Sequence, residues 1–207
     1  MSFEEEINTL ELFDDKDDYV VRKGSIPILF TSVHSFKHLK EDGTIKLNEP
    51  YTKAIALYLN KYFNVNCMVK LHDTGLDSNR DNYDFFNVEL LRFIKDNNIK
   101  LVIDLHGASL SKDFDVELGT MNNLSASFST INEFKESFIE NGITNVNIND
   151  PFKGGLVTQS IYKLDDTEVI QLEINRSFRD YNNLDNLHNL INCLEKFINQ
   201  YKEYINR

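Results

Sequence analysis

The sequence has few of the residues and runs that mark several common classes of protein. Its 207 residues include two cysteines, three prolines and eight glycines. No apolar run approaches the ~18 residues that a membrane span needs. Cys67 and Cys193 are too few for a disulfide framework, and we expect both to be small buried side chains. Because no proline-, glycine- or serine-rich linker divides the chain, we predict one domain over residues 1–207.

Positive charge is also scarce. The 22 lysines and arginines stand against 33 acidic residues, which gives a formal net charge of -11. Residues 1–18 hold eight acids and one base, so we predict an acidic N-terminal segment in contact with solvent rather than a site. Nucleic acids and anionic membranes are bound mainly through cationic side chains, and we expect neither as a partner. The first residues are acidic, unlike a basic secretion signal, so we expect a cytoplasmic protein.

The sequence does contain a regular alternation of strand-like and helix-like segments. Apolar and β-branched runs predict strands, whereas apolar residues with three-and-four spacing predict helices. Strands are expected at 26–33, 65–71, 100–105, 114–120, 156–162 and 167–174, and helices from residue 50 onward and at 82–97, 131–140 and 184–205. This order predicts the α/β fold class, with helices covering both faces of a mainly parallel sheet.

Polar residues stand at the ends of three of these strands, where a buried core does not favour them. They are His34 after the first strand, Asp104 and His106 on one side of another, and Gln171, Glu173 and Asn175 on one side of the last. In α/β sheets, ligands bind beyond the carboxyl ends of the strands. A buried carboxylate is costly unless it is paired or bound to a metal. Two histidines and a glutamate in these places are therefore the components of an open zinc site with a general base.

Five motifs in this order resemble those of the N-formylglutamate amidohydrolase family, and they lie within residues 26–180. They are His34-Ser35, Asp77-Ser78-Asn79-Arg80, Asp104-Leu105-His106-Gly107, Asn149-Asp150-Pro151-Phe152-Lys153-Gly154-Gly155 and Gln171-Leu172-Glu173-Ile174-Asn175-Arg176. The resemblance implies the zinc-exopeptidase-like fold, a three-layer α/β/α sandwich with a mainly parallel, mixed sheet. It also implies zinc-dependent hydrolysis of an amide bond.

The resemblance further implies that His34 and His106 are zinc ligands. In related zinc carboxypeptidases the carboxylate ligand lies three residues after the first histidine, but Lys37 occupies that position here. We choose Glu49 instead, because it precedes a helix in a segment that resembles family members with short chains. A carboxylate in that place can also serve only the dipole of the following helix. Two other carboxylates remain open as the third ligand, Asp73 and Asp81.

By the same resemblance, Glu173 is the general base, which takes a proton from a metal-bound water and passes it to the leaving nitrogen. Asp104 lies on the same side of its strand as His106, so its carboxylate can accept the second N–H of that ring. The alternative for Asp104 is a structural pair with some other buried base.

Six further residues are predicted to bind an anionic small-molecule substrate. Asn79 and Arg80 are expected to hold a carboxylate, since a guanidinium matches it with two hydrogen bonds. Arg176 is a second candidate for that task, with a surface ion pair as the alternative. Residues Lys153, Gly154 and Gly155 can offer backbone N–H groups and a cation, or can form a plain tight turn.

Three functions stay open from the sequence. The first is a zinc amidohydrolase acting on a small acidic N-acyl or N-formyl amino acid. The second is a metallopeptidase that cleaves γ-glutamyl or peptide bonds. The third is a non-catalytic binding module of the same fold, which three departures from the family pattern favour: Lys37, Gln159 and Ser160.

Overall fold

A seven-stranded mixed sheet forms the centre of the molecule. The computed structural model describes residues 1–39 and 42–205. The strands are β1 Tyr19–Arg22, β2 Ile26–Ser32, β3 His38–Leu39, β4 Ile45–Lys46, β5 Val65–Lys70, β6 Leu101–Ala108, β7 Val116–Gly119, β8 Val146–Ile148 and β9 Glu168–Asn175. The helices are α1 Phe3–Glu11, α2 Thr52–Phe63, α3 Phe85–Asp96, α4 Phe128–Ile139, α5 Leu156–Tyr162 and α6 Leu184–Ile205, with a 3₁₀ turn at Arg176–Phe178.

The strands of the central sheet follow the order β1-β5-β2-β6-β9-β7-β8, and β3 and β4 pair separately as a two-stranded ribbon. Strands β5, β2, β6 and β9 are parallel to one another. Strand β1 pairs antiparallel with β5 and β7 pairs antiparallel with β9, while β8 is parallel to β7. The prediction of a mainly parallel, mixed sheet is therefore confirmed.

Helices cover both faces of the sheet and complete three layers. One face packs against α1, α2, α4 and α6, through fully buried side chains such as Ile55, Phe134 and Phe197. The opposite face packs against α3 and α5, through Phe86 and Ile161 among others. This α/β/α arrangement is the predicted fold class. Among the residues that the structure describes, no helix has the length and apolar character that crossing a bilayer requires.

The segment 156–162, predicted as a strand, is helix α5 instead. Val157 and Ile161 are both fully buried and lie four residues apart, so they share one face of a helix and pack beside α3. An apolar segment of seven residues satisfies the spacing of a strand and of a helix about equally well, and tertiary packing decides between them.

The acidic N-terminal segment contains a helix that the sequence analysis did not predict. Ser2 begins α1 with a capping box, in which its side chain accepts from the Glu5 N–H and the Glu5 carboxylate accepts from the Ser2 N–H. Ile7 and Leu10 are buried, and Glu6 pairs with Lys61 of α2 at 2.6 Å. The segment is thus packed on one side rather than wholly in solvent.

Both cysteines are buried and unpaired, as the composition predicted. Cys67 lies in β5 and Cys193 in α6, and neither side chain has accessible surface. Burial raises the pKa of each thiol to about 12, so both stay protonated and behave as small apolar groups.

A buried lysine fixes the irregular segment 71–84 between β5 and α3. The Lys70 ammonium donates to the Leu76 carbonyl at 2.8 Å and to the Ser78 hydroxyl at 3.1 Å, and it pairs with the Asp84 carboxylate. Asp84 also caps α3 by accepting from the Phe86 N–H. All three donors of the ammonium are therefore used, and the path of the segment that carries Asp77 and Asn79 is determined from within the core.

Lys70→Met is expected to lower the free energy of unfolding by about 3–5 kcal/mol, because it leaves the Asp84 carboxylate buried without its cation. Urea unfolding measures the change. The matched control is Arg92→Met, which removes an exposed pair with Glu89 and is expected to cost about 0.5 kcal/mol or less. A loss below about 1 kcal/mol in Lys70→Met would show that Asp84 does not depend on this lysine.

Candidate metal centre and active site

A cavity of about 420 Å³ opens on the α3 and α5 face of the sheet, at the carboxyl ends of β2, β6 and β9. The two helices cover the beginning of these strands at Val102 and Val169. Further along the strands, the same face carries polar side chains instead of apolar ones. This cavity lies where parallel α/β sheets bind their ligands.

His34, Glu49 and His106 converge at the floor of this cavity. His34 Nδ1 lies 3.1 Å from Glu49 Oε1 and 3.2 Å from His106 Nδ1, and His106 Nδ1 lies 3.4 Å from Glu49 Oε2. All three side chains are buried. Donor atoms held about 2.1 Å from one tetrahedral zinc ion lie about 3.4 Å apart, so the spacing and the N₂O donor set both fit such an ion. The group can hold a metal.

Each histidine is oriented by a carboxylate behind it. The second ring nitrogen of His34, Nε2, lies 2.8 Å from Asp77 Oδ1, and that of His106 lies 2.9 Å from Asp104 Oδ2. With a metal bound, these contacts would favour the Nε2–H tautomer, in which both Nδ1 lone pairs are directed at the shared position. Burial lowers the pKa of His106, but Asp104 and Glu49 raise it more, so the pKa lies well above its usual value.

Glu49 is positioned by backbone as well as by the two rings. Its N–H donates to the His34 carbonyl at 2.8 Å, and the Gly107 N–H donates to Glu49 Oε2 at 2.9 Å. Burial alone would raise the pKa of this carboxyl. The imidazoles of His34 and His106 reverse that effect and hold the pKa well below its usual range, so Glu49 is an anion.

The other two carboxylates considered from sequence are not part of this group. Asp81 pairs with Arg80, and Asp73 accepts from the N–H of Gly75. Within residues 1–39 and 42–205, the group with metal-ligand spacing consists of His34, Glu49 and His106.

Glu173 lies beside the histidines with its carboxylate at the cavity. It is the neighbour of His106 in the register of β6 and β9, and the Gln171 side-chain amide donates to its Oε1 at 2.9 Å. Burial raises the pKa of Glu173, while the positive charge of His106 opposes the shift. A carboxylate with a raised pKa is a stronger base than an exposed one, which suits proton transfer near neutral pH.

Glu117 extends this row of ionisable side chains to a third strand. It is the antiparallel neighbour of Glu173 and is fully buried. Its Oε1 accepts from the Phe152 N–H at 2.6 Å, while Oε2 has no hydrogen-bond partner. Burial raises the pKa of Glu117 to about 7, and Glu173 adds to that shift. Glu117 was not predicted from the sequence, although a charged side chain between Val116 and Leu118 in a predicted strand was the available signal.

The loop before α5 forms one wall of the cavity. Lys153, Gly154 and Gly155 line it together with Asn79. The Gly155 N–H donates to Gln171 Oε1 at 2.7 Å, and a Cβ on Gly155 would lie only 2.0 Å from Asn79 Oδ1. Glycine is therefore required where this loop meets Asn79.

Arg80 and Arg176, predicted to bind substrate, are not among the described residues that line the cavity. The Arg80 guanidinium forms two hydrogen bonds with Asp81, both at 2.9 Å. Arg176 is half-exposed and pairs with Asp180 at 3.2 Å, which matches the alternative of a surface ion pair. A role in substrate binding stays a prediction for both.

Three lysines supply the positive charge at the cavity instead, and two of them were missed from sequence. Lys46, at the end of β4, lies 3.1 Å from Glu49 Oε1 and 2.9 Å from His34 Nδ1. Lys112 lies 4.9 Å above the ring of Phe152, and Lys153 lies in the neighbouring loop. Lys46 and Lys112 come from segments without a recognisable pattern, so only the fold reveals their proximity.

The three-layer sandwich is the zinc-exopeptidase-like fold. No protein-family model matches the sequence, and a search of curated proteins gave no match. Solved structures do match. N-formylglutamate amidohydrolase from Ralstonia eutropha JMP134 superposes with a TM-score of 0.71 and 12% identity, over 92% of this chain and 99% of that one.

Two further solved structures share the fold. A gene product of Agrobacterium tumefaciens has a TM-score of 0.67 and 14% identity, over 92% of this chain and 95% of its own. A bacteriophage poly-gamma-glutamate hydrolase has a TM-score of 0.55 and 12% identity, over 94% of each chain. At these identities the similarity shows a common fold.

Glu117→Gln is expected to stabilise the protein at pH 8 and to change little near pH 4.5. The pKa of Glu117 is about 7 in the folded protein against an ordinary value of 4.5. Between these values the folded state keeps a proton that the unfolded state has lost, so stability falls as pH rises. Glutamine cannot ionise and keeps the acceptor for Phe152. The melting temperatures of the two proteins should agree near pH 4.5 and differ by about 6–12 °C at pH 8, since a pKa change of this size corresponds to about 3 kcal/mol.

The control for this experiment is Glu203→Gln, an exposed glutamate on α6. Its melting curve should run parallel to that of the wild type at every pH. A Glu117→Gln curve that also ran parallel would show that Glu117 does not carry this pH dependence.

Proposed function

We propose that this chain is a zinc-dependent amidohydrolase, with residues 1–207 acting as one domain, that hydrolyses the amide bond of a small acidic N-acyl or N-formyl amino acid. The observation that carries the proposal is the buried His34, Glu49 and His106 group beside Glu173, in a cavity lined by lysines. The fold shared with an N-formylglutamate amidohydrolase supports it. So does the order of the five motifs, which resembles that of the family.

The metal would be held by Nδ1 of His34, Nδ1 of His106 and the Glu49 carboxylate. When bound, zinc supplies a Lewis acid and a water whose pKa is lowered to about 7. Asp77 and Asp104 keep both imidazoles in the tautomer that presents Nδ1. Because these partners are themselves buried or partly buried, the ligands need little rearrangement on binding.

Glu173 performs the proton transfers. Its carboxylate accepts a proton from the attacking water and then gives that proton to the leaving nitrogen of the amide. Gln171 holds one oxygen of the carboxylate, which leaves the other to face the cavity. The pKa of Glu173, raised by burial, brings its basicity closer to that of the groups with which it exchanges the proton.

The substrate is anionic, because the cavity concentrates positive charge above its acidic floor. Lys46, Lys112 and Lys153 reach it from three separate segments. Asn79 can donate its side-chain amide to a carboxylate, beside the cavity wall that Gly154 and Gly155 form. Lysine ammonium groups act as point charges and accept anions of varied geometry.

The second candidate is hydrolysis of a γ-glutamyl bond. The bacteriophage poly-gamma-glutamate hydrolase shares the fold at a TM-score of 0.55, which is the observation that favours it. The two candidates use the same metal ligands and base, and they differ in what lies beyond the reacting amide. Turnover assays with both kinds of substrate therefore distinguish the two candidate functions.

The test is zinc content and turnover of the purified full-length chain. We expect about one zinc per chain and turnover of N-formylglutamate or N-acetylglutamate in preference to γ-glutamyl peptides. Glu173→Gln should retain zinc and melting temperature while turnover falls by roughly 10²- to 10⁴-fold, the range for loss of general acid–base help. Loss of zinc in this variant would make Glu173 a ligand instead.

Other outcomes decide between the alternatives. Preference for γ-glutamyl peptides would favour the second candidate. A wild-type protein with less than about a tenth of an equivalent of zinc and no turnover would favour a non-catalytic binding module.

Lys112→Met is expected to raise KM for an acidic substrate about tenfold and to change kcat little, because the lysine lines the cavity beside Phe152 and is neither a proposed metal ligand nor the proposed base. Arg80→Met is the competing variant. If Arg80 binds the carboxylate, as the motif predicts, it is this variant that raises KM. Steady-state kinetics of the two variants, with an uncharged amide substrate for comparison, show which cation binds the substrate carboxylate.

A further inference from the structure

Arg179 is a buried cation without an acidic partner. Only 3% of its surface is accessible, and within the described part of the chain its guanidinium donates to backbone carbonyls rather than to a carboxylate. It lies just after the 3₁₀ turn that follows β9. Burying a guanidinium without an acidic partner is costly unless its N–H groups donate to other acceptors. The hydrogen bonds of Arg179 therefore indicate which segments it stabilises.

The guanidinium donates to three carbonyls on three different segments. Nε donates to Ile174 at 3.1 Å, Nη1 to Pro50 at 2.8 Å, and Nη2 to Ala108 at 3.0 Å. Each acceptor lies within two residues of a side chain of the candidate site. Ile174 follows Glu173, Pro50 follows Glu49, and Ala108 lies two residues after His106. One side chain therefore joins the backbones that carry the proposed base and two proposed metal ligands.

Gly107 provides the space for this arrangement. A Cβ on Gly107 would lie 2.4 Å from Arg179 Cζ, so the guanidinium packs directly against the glycine backbone. The N–H of the same residue donates to Glu49 Oε2 at 2.9 Å. Arg179 thus contacts both the residue that holds the Glu49 carboxylate and the residue that follows Glu49.

We propose that Arg179 is a positioning residue for the metal ligand Glu49, acting through the Pro50 carbonyl and the Gly107 backbone. The inference rests on the proposed metal site. A lysine has the same charge but a single donor centre, and it cannot reach three divergent carbonyls as the planar fork of arginine does. Loss of a partner that orients a metal ligand weakens metal binding about 10- to 100-fold.

The experiment compares the full chain with Arg179→Lys and the control Arg92→Lys, an exposed arginine on α3. Zinc affinity is measured by competition with a chromophoric chelator. In the zinc-free protein, [¹⁵N]glycine labelling gives eight backbone amide signals, one of which reports the Gly107–Glu49 hydrogen bond directly. We expect Arg179→Lys to weaken zinc binding at least tenfold and to speed hydrogen exchange at Gly107 about tenfold or more. Arg92→Lys should change neither.

Wild-type zinc affinity and an unchanged Gly107 signal in Arg179→Lys would overturn the proposal and leave Arg179 a folding residue, even with a lowered melting temperature. If the wild type itself binds no zinc, the proposed function fails. The Gly107 signal then still decides whether Arg179 positions Glu49. If Arg179→Lys does not fold, Gly107→Ala displaces the guanidinium from the other side, and unaltered zinc affinity in that variant overturns the proposal.

Discussion

The balance of charge inside one face of the sheet is the constraint on which the rest of the structure depends. Glu49, Asp104, Glu117 and Glu173 are all buried near the ends of β6 and β9, and Asp77 lies beside them. Carboxylates at this density repel one another unless protons or cations lie between them. The two imidazoles, the Lys46 ammonium and, in the proposed function, a zinc ion provide that charge. These groups are brought together by the register of the central sheet, by the β3–β4 ribbon that carries Lys46 and by the segment that carries Asp77.

Much of the fold could be predicted from the sequence, because strands that are buried on both faces have continuous apolar sequences. Period two in β6 and β9 also puts His106 and Glu173 on one face, and the register makes them neighbours. The prediction failed at α5, where Val157 and Ile161 fit either period and the packing against α3 decides. Helix α1 was not predicted, because its acidic residues obscured the two buried apolar positions, Ile7 and Leu10.

The site could be predicted less completely, for reasons of geometry. Glu49 came from a family resemblance rather than from a pattern, since it lies in neither a strand nor a helix. Glu117 meets Glu173 only because β7 runs antiparallel to β9, and a strand of four residues carries no sign of its direction. Arg80 lies in a segment whose path is set by the buried Lys70, so its motif gives no information about where its side chain points.

The reversed direction of β7 has a consequence for how this cavity can change in evolution. Strand β6 ends at the cavity and β7 begins there, so the connection at residues 109–115, which includes Lys112, lies at its mouth. Insertions in such a surface connection cost little conformational free energy, because loop-closure entropy grows slowly with length. Lengthening it would deepen the cavity and change which substrates fit, without disturbing the register that holds His106 beside Glu173. In the proposed function, the size of the substrate and the proposed catalytic groups could therefore vary independently of each other.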